Sequence, residues 1–490
     1  MKLSASDIVS RYRPDKCDLR VFLRHRGEAE AEDPFSEILK RIGLRHERDH
    51  LASLGPYLDI SVEPFENRRA KTVEAIRSRI PVLYQPTFEI TEKILGVDVD
   101  IVGAPDFLVL QPSGYQLRDS KMSRRIDEKH HPEIILQVQL YAWLFERTTG
   151  APPIGIQVHA GTGDLVEVAY DGGLSVRAEL ERIIAIKQSK DEFYEPVGWS
   201  KCDRCGFRDR CWSRAEESGD VALVSGVDQN LARELHSLGT RTRSEFLGNF
   251  DSRTLSEFRR PWGSRMQRVG NIARRILLSA ESMESGREII LQTPAVPSCA
   301  NYVMFDLEGM PPSLDELEKI YMWGTRVYGA SPGEFKAAVS GFGADGDREG
   351  WIAFLQIAQG IFEKYGDVPF VHWADYEKTN LDRYVGRHGD PQGVAARVNA
   401  NLLDLLDVCK EAIILPLPSY SLKVIEDYVG FERKAEEYGG QWAMAMFIEA
   451  TETSDEEKRR ELMDKILQYN EEDLAATWAV FQWLRSKRAP

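Results

Sequence analysis

Apolar positions along this chain of 490 residues switch between two periods, alternation and helical spacing. After a helical beginning, strand patterning appears at YQPTFEI (84–90), DVDIVGAPDFLVL (98–110) and YQLRDSK (115–121). PEIILQVQLYAWLFERTT (132–149) has the length and apolar weight of a helix, and IGIQVHAGTGDLVEVAY (154–170) reads as a hairpin. Residues 220 to about 290 read as helical and arginine-rich, and the proline-bearing QTPAVPS (292–298) as a linker. Beyond it NYVMFDLEG (301–309), KIYMWGTRVYG (319–329) and VPFVHWAD (368–375) read as strands. GWIAFLQIAQGIFEKYG (350–366) reads as a helix, and helices dominate to the end. Strands interleaved with helices predict two α/β modules, 1–215 and 293–490, joined by a helical connector, 216–292.

Composition changes this picture little. A hydrophobic share of 42% and a charged share of 29% are those of a soluble globular protein. Arg11 and Arg13 precede any sustained apolar stretch, and no run approaches the roughly 20 apolar residues of a membrane helix. With only six cysteines, the expectation is a reducing cytoplasm and no membrane partner. A net charge of −15 argues against blanket coating of nucleic acid. It leaves a nucleic-acid enzyme open, because carboxylate clusters that hold divalent cations also lower the pI.

The first chemistry lies in GAPDFLVLQPSGYQLRDSK (103–121). The Pro-Ser-Gly between the two strands is turn chemistry, so a hairpin is expected to bring Asp106 beside Asp119 and Lys121. Two carboxylates and an ammonium suit phosphodiester hydrolysis. The carboxylates bind Mg²⁺ or Mn²⁺ and activate a water, and the lysine orients that water or offsets developing charge. Alone, Asp119 and Lys121 read more readily as a surface ion pair than as a site. Their surroundings add His46 on a helix (IGLRHERDH), where imidazole completes a metal shell, and Gln137 and Tyr141, four apart on one helical face.

The order His46, Pro105-Asp106, Asp119-x-Lys121, Gln137-x3-Tyr141 resembles the RecB-like branch of the PD-(D/E)xK nuclease superfamily. In that branch one cysteine precedes the nuclease core and three follow it at C-x2-C-x5-C. Cys17 stands before the core here, and CDRCGFRDRC supplies Cys202, Cys205 and Cys211 after it. The resemblance, over roughly residues 1 to 215, therefore implies a four-thiolate [4Fe–4S] site, with structural zinc as the open alternative.

The second chemistry begins in NYVMFDLEG, where Asp306 and Glu308 share one face of an apolar strand. Two acids ending a buried strand are costly to desolvate unless a cation compensates them. VHWADYEKTNL offers His372, Tyr376 and Glu377, and ILQYNEEDLAATWAVFQWL places Tyr469 and Asp473 one helical turn apart. These motifs resemble RNase H-like exonucleases of the DEDD type, and Tyr469 matches the tyrosine-bearing subgroup. Glu377 stands where that family has aspartate, with Asp375 adjacent, so the second motif departs from the pattern. The resemblance implies metal ligation by Asp306, Glu308, Glu377 and Asp473, with Tyr469 placing the attacking water. A degenerate module kept for scaffolding is the competing reading.

Between the two modules, LVSGVDQNLARELHSLGTRTRSEFL (223–247) resembles a single helix-hairpin-helix and reads equally as a plain helical linker. The stretch after it carries Arg259, Arg260, Arg265 and Arg268 with Trp262. These are candidate phosphate and base contacts, weighed against a solvated helix face. The chain as a whole is similar to RecB-family nucleases fused to a predicted RNase H-like domain. The expectation is a metal-dependent nuclease acting on DNA, with single-stranded ends as substrate, in repair, recombination or defence. An RNA-processing 3′–5′ exonuclease using only the second site, and a non-catalytic nucleic-acid scaffold, are the alternatives. No GxxxxGK[ST] phosphate loop is present, so a helicase partner would be a separate protein.

Overall fold

The structure, a computed structural model, describes residues 1–32, 36–311, 318–434 and 439–489. The chain forms two compact units, residues 1–195 with 200–211, and 196–199 with 212–490. The helical connector expected as a separate piece thus belongs to the C-terminal unit.

The N-terminal unit is built on a six-stranded mixed sheet ordered Leu58–Asp59, Val82–Tyr84, Phe107–Gln111, Gly114–Ser120, Gly155–His159, Leu165–Val168. Phe107–Gln111 and Gly114–Ser120 pair antiparallel, with Gln111 opposite Gly114 across the Pro-Ser turn, as the turn chemistry predicts. Gly114–Ser120 then pairs parallel with Gly155–His159, and such a pair needs a crossover. The crossover is the Pro132–Thr149 helix, which starts with proline in its first turn and stops at Gly150, whose φ of 84° lies in the left-handed region. Its Val138, Leu140, Ala142 and Leu144 are fully buried in the unit's main core. A second sheet pairs Lys2–Ser4, Val97–Gly103 and Phe88–Ile94.

The C-terminal unit carries a five-stranded sheet ordered Lys336–Val339, Lys319–Gly329, Asn301–Met310, Phe370–His372, Leu402–Asp404. The first two pairings are antiparallel and the last two parallel. Its central strand, Asn301–Met310, separates two cores. Val303, Phe305 and Leu307 pack with Trp323, Trp351 and Phe354 on one face. Tyr302 and Met304 pack on the other with Leu474, Val480 and Phe481 of the 31-residue helix Glu456–Ser486. The period of two carries Asp306 and Glu308 onto that same helix-covered face. The sheet therefore aims both acids at the helix that bears Asp473.

Residues 216–292 pack around their own core of Val221, Leu231, Leu235, Phe246, Leu255 and Ile276. The expectation of continuous helix fails at the arginines. Arg259–Trp262 and Arg265–Arg268 form an antiparallel two-stranded ribbon. Pro261 has no N–H to donate in a helix, and Gly263, at a φ of 59°, makes the two-residue turn. Among the described residues no helix is long and apolar enough to cross a membrane.

Two candidate acidic sites

In the N-terminal unit the hairpin brings Asp106 and Asp119 face to face. The Asp106 N–H donates to Asp119 Oδ1 at 3.3 Å, and Asp106 Oδ2 accepts from the Ser120 N–H at 2.7 Å. Lys121 Nζ stands 2.7 Å from Asp119 Oδ2, and Asp119 is only 1% exposed. Burial, reinforced by the Asp119 charge, raises the Asp106 carboxyl well above its usual range. Burial alone would lower the Lys121 ammonium, but Asp119 and Asp106 outweigh it and hold it charged. Tyr141 lies in the same field, its hydroxyl raised by burial and then by Asp119, and it accepts from Gln137 Nε2 at 2.8 Å. A methyl group on Gly103 would lie 2.7 Å from Leu144 Cδ1 and 2.8 Å from Tyr141 Cδ1. Glycine at that strand end is what lets the Tyr141 ring approach.

His46 takes a different place from the one expected. Its ring stacks on His159 at 4.4 Å, and Nε2 sits 3.3 Å from the His159 carbonyl. His50 stacks on His159 at 3.9 Å, and burial pushes both His50 and His159 down to about 4. Among the described residues His46, Asp106 and Asp119 do not bring one ligand atom each within 4.8 Å of one another. The neighbouring Glu47 does approach Asp106. Gln85 Nε2 donates to Glu47 Oε1 at 2.9 Å and to Asp106 Oδ1 at 3.0 Å, bridging the two. Sequence reading passed over Glu47 although it adjoins His46. On a helix one position turns the side chain by about 100°, and only the packed helix reveals which of the two approaches Asp106.

In the C-terminal unit Asp306, Glu308 and Asp473 each offer an oxygen, all within 4.8 Å of one another. This is the one such acidic trio among the described residues. Burial, then Asp473 and the other acids, raises Asp306 and Glu308 well above the carboxylate range, and burial also raises Asp473 despite Arg433. Buried carboxylates this close repel one another, so the donor set suits a hard divalent cation. Tyr469, 6% exposed and one turn before Asp473, lies in the field of the same acids, which together with burial raise its hydroxyl. Glu377 stays outside the trio. It is 2% exposed, its Oε2 lies 3.3 Å from His372 Nδ1, and its charge still reaches Asp306.

Three further side chains shape this site. Asn470 Nδ2 donates to Asp306 Oδ2 at 2.7 Å, and the Asn470 amide crosses Gly324 so closely that a methyl there would sit 1.7 Å from Oδ1. Arg433 donates through Nε and Nη2 to both oxygens of Glu426, at 2.6 and 2.9 Å, and through Nη2 to Asp473 Oδ1 at 2.5 Å. Its guanidinium also lies 5.7 Å from the Tyr469 ring centroid. Asn470, beside Tyr469 in the motif, was open to notice. Arg433 and Glu426 carried no signal, since only the fold brings them to Asp473.

The four cysteines Cys17, Cys202, Cys205 and Cys211 all belong to the N-terminal unit and are partly buried. No three of their sulfurs lie within 4.8 Å of one another. Four thiolates around one zinc would stand about 3.8 Å apart, from Zn–S bonds of about 2.3 Å. The residues as placed thus do not fit a closed zinc site, and the geometry lends the iron–sulfur expectation no support. In the basic ribbon, Arg260 is 6% exposed and bonded to Asp228, so it is not the open phosphate contact expected of it. Arg268 pairs with Glu257 at 2.9 Å, while Arg259 and Arg265 are exposed.

Comparison with known families decides the two folds. Residues 22–212 match the model of the PD-(D/E)XK nuclease superfamily, and residues 303–485 that of the RNase H superfamily. The chain joins a PD-(D/E)XK nuclease domain to an RNase H-like domain. Both are nuclease-family domains, and they support a hydrolytic nuclease that binds nucleic acid. No curated protein matches the chain. Among solved structures, the crystal structure of SSO0001 is 15% identical, covering 43% of this chain and 86% of that one, with a TM-score of 0.23. The PD-(D/E)XK match contains Asp106, Asp119 and Lys121, and the RNase H-like match contains the whole Asp306–Glu308–Asp473 trio.

Proposed function

We propose that the protein is a divalent-metal-dependent nuclease of DNA, acting as an exonuclease at single-stranded ends in repair, recombination or defence. The observation that carries the proposal is the convergence of Asp306, Glu308 and Asp473 from a strand and a distant helix. In the RNase H-like domain these three would hold Mg²⁺ or Mn²⁺, with Glu377 adding charge behind them. In the PD-(D/E)XK domain Asp106 and Asp119 would hold the cation, with Glu47, bridged to Asp106 by Gln85, beside them and His46 the further ligand that the resemblance implies. Bound there, the cation supplies a nucleophilic water at neutral pH and neutralises charge on the phosphate. The chain's own groups do the rest. Lys121, kept charged by Asp119, orients the water or meets the developing negative charge. Gln137 fixes the Tyr141 hydroxyl beside it, and Tyr469 positions the water over the second site.

The iron–sulfur cluster stays part of this proposal on the chemistry of its donors alone. In a cubane each thiolate binds its own iron, so the sulfurs spread wider than around a single ion. Iron and acid-labile sulfide analysis of anaerobically purified protein tests it. One reading besides DNA hydrolysis has an observation in its favour. Among the described residues only the RNase H-like site gathers three ligands, which suits an RNA exonuclease working from that site alone.

The deciding experiment compares wild type, Lys121→Ala and Asp306→Ala on end-labelled DNA and RNA in Mg²⁺ and in Mn²⁺. DNA cleavage weakened by each substitution is the expected result. Loss with Asp306→Ala only, on RNA, transfers the function to the second reading. A wild type inert on both substrates in both metals makes the protein a scaffold and ends the proposal.

A further inference from the structure

The Arg259–Arg268 ribbon is a surface the two acidic sites do not use. Among the described residues its strands pair only with each other, Arg259 opposite Arg268 and Trp262 opposite Arg265. A lone two-stranded hairpin is marginal in water, and this one is anchored by a single buried side chain. Arg260 donates through Nε to Asp228 Oδ2 at 2.5 Å, and Asp228 itself caps the Gln229–Ser237 helix through the Asn230 and Leu231 N–H groups. The anchored guanidinium then lies 5.0 Å from the centroid of the Trp262 ring. Trp262 is nonetheless 56% exposed at the turn, and Met266 across the ribbon is 53% exposed.

A large aromatic side chain left in water at the tip of a ribbon calls for an occupant, and the charge around it says which. Residues 258–268 contain four arginines and no acid. Asp228 and Glu257 offset Arg260 and Arg268, and among the described residues Arg259 and Arg265 have no ion-pair partner. The ribbon is therefore a local cation on a chain of net charge −15. An indole backed by a guanidinium and open on its other side is a platform for a planar, electron-rich ring. Arg265, its cross-strand partner on the same face, and Arg259 on the other face suit phosphates to either side of it. A base can reach such a platform only when it is unstacked, which selects single strands over duplex.

We propose that this ribbon is a single-strand-binding finger, with Trp262 stacking one base and Arg259 and Arg265 contacting the flanking phosphates, while Arg260 is the internal support that sets the indole. The proposal rests on the chain being a nuclease and names the form of nucleic acid it engages.

The test is fluorescence anisotropy of fluorescein-labelled oligothymidylate with the full-length protein in EDTA, which separates binding from cleavage. Trp262→Ala is expected to weaken binding about 5- to 150-fold and Trp262→Phe to restore most of it, at unchanged thermal stability. The Arg259→Ala/Arg265→Ala double variant is expected to lower the slope of log affinity against log salt by about 1.4, at about 0.7 per phosphate contact on a single strand. Variants that bind within twofold of wild type overturn the proposal. So does equal loss on a duplex of the same length. A Trp262→Ala change that dissociates a dimer and leaves oligothymidylate binding intact assigns the surface to a second copy. If wild type cleaves DNA but Trp262→Ala binds it normally, the finger is wrong and the nuclease stands; if wild type neither binds nor cleaves, both fall.

Discussion

Replacing Arg433 with methionine removes a guanidinium bonded to Asp473 in the RNase H-like site while keeping an unbranched apolar stem. The structure sets the size of the effect. Arg433 and Asp473 side chains are each 11% exposed and Glu426 is 3% exposed, so solvent screens these contacts little. Three charge-assisted bonds disappear, two to Glu426 and one to Asp473. Glu426 is left as a buried charge, and Asp473 loses a bonded counter-ion, although Lys423 still acts on it. Removing one partner of a buried pair costs about 3–5 kcal/mol. Protonation of the carboxyls, already pushed upward by burial, holds the loss near the lower end. A loss of about 3 kcal/mol lowers the melting temperature of a unit this size by about 5 °C, at about 2.1 cal/mol/K of unfolding entropy per residue.

A divalent cation replaces the missing charge at Asp473 but not the fork at Glu426. The melting deficit of Arg433→Met, measured by differential scanning calorimetry in EDTA, should therefore shrink in millimolar Mn²⁺ without vanishing. Arg433→Lys, which keeps the charge and loses the planar fork, should fall between wild type and methionine. A methionine variant that melts within about 1 °C of wild type in EDTA, or whose deficit is the same with and without Mn²⁺, refutes the reasoning.

Two other outcomes follow from the same site. Gly324→Ala should weaken Mn²⁺ binding about 10- to 100-fold by calorimetry, because Asn470 is fully buried, cannot step aside, and must release Asp306; wild-type affinity in this variant would show that the Asn470 contact orients nothing. The stabilisation conferred by Mn²⁺ should grow as pH rises above about 4, the ordinary carboxylate value. The sign follows from proton uptake. Asp306, Glu308 and Asp473 are raised in the fold, so the metal-free native state holds extra protons and loses stability as pH climbs toward their folded values. Mn²⁺ binds the deprotonated acids and cancels that loss. Melting scans with and without Mn²⁺ between about pH 5 and 8 check it, and a metal increment independent of pH contradicts it.

Local pattern made much of this chain legible. The period of two in NYVMFDLEG placed Asp306 and Glu308 together, and the helical period put Tyr469 one turn from Asp473; both relations hold in the structure. The Pro-Ser-Gly turn was enough to predict that Asp106 meets Asp119. The same reasoning misplaced residues 259–268, because a run of arginines looks alike on a helix and on a ribbon. Pro261 and Gly263 were the signals that tell the two apart.

Residues up to about four positions apart on one element, or facing across one tight turn, were thus determined by the sequence itself, since strand, helix and turn geometry rigidly relate neighbours. Tertiary structure alone decided which helix residue met Asp106, putting Glu47 near it while His46 stacked on His159. It alone seated Arg433 between Glu426 and Asp473, 40 residues away from the latter in the chain. No local period reaches that far. Such contacts are selected by packing and charge compensation among buried groups, terms that exist only once the chain has closed on itself.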